Sequence, residues 1–526
     1  MHVVEIVLGL LVAICVLVVL ARKLSVPYPI VLVLGGLALS LVPELPQVEL
    51  DPELVFVLFL PPLLCAAAWS TSWRDFRANV RPISLLALGL VFATTFAVAV
   101  AVHALVPSIP WAAAFALGAI VSPPDAVAAT AVTESLGVPR RITTILGGES
   151  LVNDASGLVA YRFAVAAAVT GMFSPIEAVG RFVLLVVGGV AVGFAVGFTV
   201  AWLQKQIEDA PIEIALTLFG AYGAYLLAEQ WELSGVLAVV TTGLYHRYRS
   251  SEIMSPASRN QVMPVWRMLE FVFNGLAFIL IGLQLPYILD NLGGRSLSTL
   301  LGYAALVSVV VIGVRLLWVF PATYLPRLLV PGLAERDPIP PWQPVFLLGW
   351  TGMRGVVSLA AALALPTVTA TGQPFPERDL ILFLSFAVIL VTLVLQGLSL
   401  PPLIRFLGLA DDGSGEREER LGRRQAAEAA LVRIEKIALE RPEHEDSPVL
   451  RRMREQYLAR LRLFESEEEA IEELYEQMRS EVELQHEVLA AERALVVRLR
   501  NEGAISDEAL MKIERELDFE VLRLRA

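Results

Sequence analysis

The chain has 526 residues, of which 56% are hydrophobic and 18% charged, and carries a formal net charge of −12. Apolar runs of about twenty residues recur through residues 1–410, the length a helix needs to cross roughly 30 Å of hydrocarbon, and this sets the class as an all-α polytopic membrane protein. Two cysteines, Cys15 and Cys65, exclude a disulfide framework and a cysteine metal site, and the lack of a Gly-rich phosphate loop ending in Lys-Ser or Lys-Thr argues against an ATP-driven pump.

Thirteen candidate spans lie near residues 3–21, 26–42, 53–70, 82–106, 110–134, 142–170, 178–203, 211–228, 232–248, 263–287, 297–325, 343–366 and 379–409. The first begins Met1-His2-Val3-Val4-Glu5, without the basic leader of a signal peptide, so it is expected to stay as a mature helix. Loops after odd-numbered spans hold Arg22, Lys23, Arg74, Arg77, Arg81, Arg140, Arg141 and others, whereas loops after even-numbered spans hold little beyond Arg181, Arg295 and Arg378. The positive-inside rule then places the N-terminus outside and the C-terminus in the cytoplasm of a cell with this protein in its plasma membrane. His103 and His246 fall near span ends and are expected to be interfacial.

In span 5, Pro123-Pro124-Asp125 interrupts the apolar run. Proline cannot continue the helical ladder, so the pair is expected to break this span at mid-membrane and free carbonyls and amides beside a carboxylate. Span 6 carries Glu149-Ser150-Leu151-Val152-Asn153-Asp154. Residues four apart share a helix face, which puts Ser150 and Asp154 on one stripe and Glu149 and Asn153 on the next. One stripe is expected to bind and the other to brace. Buried intramembrane carboxylates cost roughly 2.5–3.5 kcal/mol each on insertion scales and read by default as an ion or proton path. A cation and a proton compete for the same charge on Asp154, and that competition is the logic of an exchanger.

Further along, Gly189, Gly193 and Gly197 are spaced by four in span 7 as a helix-packing face. Arg162, Glu270 and Arg315 need partners that the sequence does not name. In span 12, Gly352-Met353-Arg354-Gly355 supplies a buried arginine, and Glu149 with Arg354 is the expected structural ion pair. Glycines 349, 352 and 355 fit either close helix packing or a second interruption. Spans 5 and 12 are an odd number apart and cross in opposite directions, the signature of an inverted repeat with span 7 as connector. After residue 410 the composition changes: 20 Lys or Arg and 30 Asp or Glu fall in residues 411–526. Apolar residues return there at helical spacing, and Ser506-Asp507-Glu508 marks a helix start, so this part is expected to be a helical cytoplasmic domain.

These residues resemble the monovalent cation/proton antiporter superfamily, in its sodium/proton exchanger branch with an Asn-Asp motif. The resemblance covers most of residues 1–410 and implies a thirteen-helix inverted-repeat fold with crossed interrupted helices, a homodimer in the lipid bilayer, and exchange of Na+, or of K+ or Li+, for H+. By matching positions it implies Asp154 and Asp125 as ligands of the transported ion, Ser150 as a further oxygen, Asn153 as their neutral neighbour, and Glu149 with Arg354 as the brace. Pro124 stands where relatives commonly have a threonine, so one hydroxyl ligand is missing. No catalytic residue, cofactor or nucleic-acid partner is expected. A K+/H+ antiporter is the alternative, and a cation channel gated by the tail is the reading from another class.

Overall fold

The computed structural model describes residues 2–42, 52–172, 174–290, 292, 295–409, 411, 413–441, 447–465 and 468–525. The chain divides into two compact units, Met1–Asp411 and Asp412–Ala526.

The first unit is built from α1 His2–Leu24, α2 Tyr28–Ser40, α3 Pro52–Ser70, α4 Trp73–Ala78, α5 Val80–Leu105, α6 Trp111–Val121, α7 Ala126–Ser135, α8 Arg140–Thr170 and α9 Pro175–Gln204. It continues through α10 Ala210–Gln230, α11 Gly235–Ile253, α12 Pro256–Leu283, α13 Leu285–Asp290, α14 Leu297–Leu329, α15 Leu333–Arg336, α16 Trp342–Trp350, α17 Val356–Leu363 and α18 Arg378–Leu407. Helix occupies each apolar stretch expected from the sequence, and two of these stretches are split in two, α6 with α7 and α16 with α17. Among the described residues, seven helices are long and apolar enough to cross a membrane, and Tyr28–Ser40, Val55–Ser70 and Trp111–Val121 are shorter apolar helices.

The helices sort into two packed groups. In one, α2 lies along α12, and α3, α9 and α10 pack around α11. Close approach there depends on glycine, because a side chain at Gly36 would run into the Ile279 carbonyl and one at Gly282 into the Val33 carbonyl, each at 2.2 Å. The glycine face of α9 behaves as its spacing predicts: Gly189 and Gly193 abut the Ser234 and Ala238 carbonyls of the α11 segment. The freed space lets Thr242 donate to the Gly193 carbonyl at 2.9 Å and sets a His246 ring nitrogen 3.0 Å from the Gly197 carbonyl. His246 is therefore a buried packing residue, where the sequence suggested an interfacial one.

In the other group α5, α6 and α8 pack together, with α14, α16, α17 and α18 beside them. Two helices of this group contain a π-turn, Leu85–Leu90 in α5 and Thr392–Gln396 in α18. A π-turn releases carbonyls from the regular ladder. Those of α5 are taken by Trp318, which donates to Leu85 at 3.0 Å, and by Ser156, which donates to Ala87 at 2.5 Å.

One end of this group is tied by a loop carboxylate. Asp337, between α15 and α16, accepts from Arg81 of α5, from Arg141 of α8 at 2.8 Å and from Arg327 of α14 at 2.8 Å. Partial burial alone would raise the Asp337 carboxyl, but the hydrogen bonds and charges of Arg141 and Arg327 outweigh it and hold the group below the usual carboxylate range. A depressed carboxylate adds stability above its unfolded value, about 3.9, and loses it as pH falls through the lower folded value. Asp337→Asn is therefore expected to lower the melting temperature in detergent at neutral pH, with the gap to wild type closing below about pH 4; a gap that persists in acid would remove this account.

The second unit holds α19 Ser414–Glu440, α20 Pro448–Glu465, α21 Glu468–Asn501 and α22 Asp507–Arg525. The start of α22 is the one read from the sequence: the Ser506 hydroxyl accepts from the Ala509 amide at 3.1 Å. Ion pairs line the exposed faces, among them Arg424 with Glu428 and Lys512 with Glu508, each at i,i+4.

Candidate functional site

Two chain breaks meet in the second helix group. Residues 122–125 separate α6 from α7, and residues 351–355 separate α16 from α17. The second break settles the glycine question in favour of a true interruption. The breaks touch directly, the Asp125 amide donating to the Met353 carbonyl at 2.7 Å.

The four helix ends at this crossing carry opposite partial charges. Amides at the N-termini of α7 and α17 are positive ends, and the carbonyls closing α6 and α16 are negative ends. Asp125 lies at the first kind: its Oδ1 accepts from the Val127 amide at 2.9 Å, and the Val356 amide also bonds to it. Arg354 lies at the second kind, donating through Nε to the Val121 carbonyl at 2.9 Å, through Nη2 to Ser122 at 3.3 Å and through Nη1 to Gly352. The Arg354 amide is held by Thr392 of the α18 π-turn at 3.1 Å. Each charge is placed where the opposite end of a helix dipole needs it.

The expected pairing of Glu149 with Arg354 is corrected here. Glu149 is gripped on both carboxylate oxygens by Arg315 of α14, at 2.5 and 2.8 Å, and both side chains are fully buried. Arg315 also donates through Nε to the Leu348 carbonyl at 3.1 Å, so it joins α8, α14 and α16. Arg354 is occupied instead by main-chain carbonyls, because the breaks leave more carbonyls unbonded than backbone amides reach. Arg315, an intramembrane charge for which the sequence named no partner, was the signal that could have identified this pair.

Asn153 and Asp154 sit on neighbouring stripes of α8 and serve different purposes. Asn153 Nδ2 donates to the Pro124 carbonyl at 2.8 Å, filling an acceptor that the proline break frees, while its Oδ1 is buried without a hydrogen-bond partner. Asp154 is 7% exposed and close enough to Asp125 for the two charges to interact. Among the described residues, no hydrogen bond or ion pair engages the Asp154 carboxylate. Ser150, one turn earlier on the same stripe, is partly exposed, and at Gly147 an added side chain meets nothing within 4 Å. Gly147 and Ser150 thus border open space, and Asp154 is buried one turn further along the same stripe. Hard monovalent cations take oxygen ligands, and the oxygens of Asp154, Asp125 and Ser150 with the unpartnered Asn153 Oδ1 are a donor set of that kind.

The crossing admits no extra atoms. A methyl at Gly355 would fall 1.7 Å from Asp125 Oδ2. Overpacking a filled site costs about 1–3 kcal/mol, so Gly355→Ala is expected to displace Asp125, lower the melting temperature and suppress function. Gly313→Ala on α14, where a methyl meets nothing within 4 Å, is the control that should leave both unchanged. Equal behaviour of the two variants would count against the close fit.

Over residues 9–406 the sequence matches the family described as sodium/hydrogen exchanger, transmembrane. The chain belongs to that family. An uncharacterized Na+/H+ exchanger of Mycobacterium tuberculosis is 35% identical over 99% of this chain and 96% of its own. The sodium, potassium, lithium and rubidium/H+ antiporter of Bacillus subtilis is 36% identical over 72% of this chain and 58% of its own. The sodium proton antiporter MjNhaP1 of Methanocaldococcus jannaschii shares the fold, with a TM-score of 0.62 at 17% identity over 78% of this chain and 98% of its own. As an exchanger family member, the chain is a membrane transporter of the cation/proton antiport class and not of a catalytic class.

Proposed function

We propose that this exchanger moves one monovalent cation, Na+ first, against one proton by alternating access in the plasma membrane, with Asp154 as the group that either one occupies. The observation that carries the reading is a buried carboxylate left without a partner beside two interrupted helices whose own charges are already balanced. Asp125, Ser150 and the free oxygen of Asn153 complete the oxygen set, and Arg315 with Glu149 braces the helix that carries it. The group containing α5–α8 and α14–α18 would move against the group containing α2, α3 and α9–α12, which would also form the interface of a homodimer.

On this reading thirteen segments cross the bilayer, with α6–α7 and α16–α17 each making one broken crossing. The N-terminus lies outside and the helical tail of residues 411–526 in the cytoplasm, as the arginine-rich loops require. The first and last six crossings form inverted repeats. Asn153 supports one-for-one exchange, since an amide adds no second charge to the site. A wider ion range is the second reading. It is favoured by the ion range of the Bacillus subtilis relative, and Pro124 lacks the hydroxyl that would narrow the choice.

The test is exchange in proteoliposomes with Na+, Li+ and K+ compared at several pH values, with and without an imposed voltage. Na+-dependent proton movement insensitive to voltage is expected; K+ exchange of equal size would establish the second reading, and movement of Na+ without proton countermovement would overturn both.

A further inference from the structure

From the geometry beyond Asp154 we infer that Arg162 and Glu229 form a gate on the side of the membrane where α8 ends at Thr170. The inference rests on the antiport reading for its purpose, but not for its test.

Arg162 lies eight residues past Asp154 on α8, on the side of the helix that Leu158 shares. Its Nη2 donates to both carboxylate oxygens of Glu229 on α10, at 2.9 and 2.7 Å. The pair therefore joins a helix of one packed group to a helix of the other. Beside it lies a cavity of about 70 Å³, whose wall runs along α8 from Ala155 through Leu158 to Arg162 and is continued by Tyr225 and Glu229 of α10 and by residues of α3, α9 and the start of α11. The cavity starts at the residue after Asp154, and the ion pair forms part of its lining. Glu229 is anchored from behind, since its Oε1 also accepts from the Gly235 amide at 3.3 Å, at the start of α11. The fixed carboxylate stays with α10 and α11, and the arginine travels with α8.

The strength of the pair suits a gate. Arg162 is 44% exposed and Glu229 30%. Exposed pairs hold weakly, so the contact biases the closed arrangement by about two- to fivefold and does not lock it. Outward movement of α8 parts the two side chains, which widens the cavity's opening to water and extends it toward Asp154.

The test uses the full chain in right-side-out vesicles, with Cys15→Ser and Cys65→Ser, and with Leu158→Cys as reporter for a membrane-impermeant maleimide. Arg162→Gln is expected to raise the labelling rate at 158 by about two- to fivefold, from the Thr170 side only, while Arg162→Lys, which keeps the charge, restores the slow rate. Glu229 is left intact because its carboxylate also caps α11. Labelling unchanged in Arg162→Gln, raised equally from both sides, or left fast in Arg162→Lys would each overturn the gate. Labelling requires no transported ion, so these outcomes are read separately from exchange: a chain that gates without exchanging would overturn the antiport reading alone, and one that exchanges without this labelling change would overturn the gate alone.

Discussion

Asp154→Asn is expected to abolish cation-dependent proton movement, read by pH-jump fluorescence in proteoliposomes, while the purified variant melts at or above the wild-type temperature. Both halves follow from the same feature. A carboxylate 7% exposed and without an ion pair or hydrogen bond among the described residues is costly to keep charged, so replacing it by an amide of the same shape relieves the fold. The same replacement removes the single charge for which cation and proton compete. A variant that loses transport by unfolding would melt lower, which separates the two causes. Full exchange in Asp154→Asn would reject the assignment outright.

Arg315→Ala is expected to lose about 3–5 kcal/mol, because it leaves Glu149 charged, buried and unpaired. Glu149 is 1% exposed and both its oxygens are spent on Arg315, while the nearby Arg354 guanidinium is committed to main-chain carbonyls. Removing both charges together, as in Glu149→Gln with Arg315→Leu, should recover much of the loss, since a buried ion pair adds little over apolar packing of the same volume. Arg354→Ala should cost less than Arg315→Ala, because it breaks hydrogen bonds to main-chain carbonyls and no direct ion pair. The measure is the fraction of protein still monodisperse by fluorescence-detected gel filtration after a heating series. Wild-type survival of Arg315→Ala, or a double variant worse than the sum of its parts, would overturn the brace.

Much of this arrangement was legible in the sequence because its determinants are local. Pro123-Pro124 removes two donors from its span, but Pro61-Pro62 and Pro401-Pro402 stand inside the continuous α3 and α18, so it is the carboxylate beside the pair that marks this break. The stripes of α8 follow from helical spacing, and the bracing stripe is where Asn153 and Glu149 find Pro124 and Arg315. Ser506 marks the start of α22 for the same local reason. Glycines at 349, 352 and 355 were ambiguous because a small residue permits both a close helix contact and an interruption; Arg354 and Asp125 decide it by where they place charge.

What was not legible depends on which helices become neighbours. Choosing between Arg315 and Arg354 as partner of Glu149 requires knowing that α14 packs on α16 and that Arg315 reaches from there to α8, and no periodicity within one helix carries that. The π-turn at Thr392–Gln396 contains neither glycine nor proline, and its outward sign is a threonine in an apolar run, whose purpose is visible only once the Arg354 amide stands opposite. The pairing of Arg162 with Glu229 is of the same kind, a contact between separate helix groups.

The balance of charge at the crossing has an energetic consequence for a cell. On the proposed one-for-one reading, Asp125 offsets Arg354 and Glu149 offsets Arg315 in net charge, and with either passenger aboard Asp154 would be neutralised too. A membrane potential exerts about 2.3 kcal/mol per elementary charge per 100 mV, and on a load of zero it exerts nothing. A carrier that works as proposed would come to rest when the inside-to-outside ratio of sodium equals that of protons. It empties a cell of sodium in acid surroundings and fills it in alkaline ones, whatever the voltage.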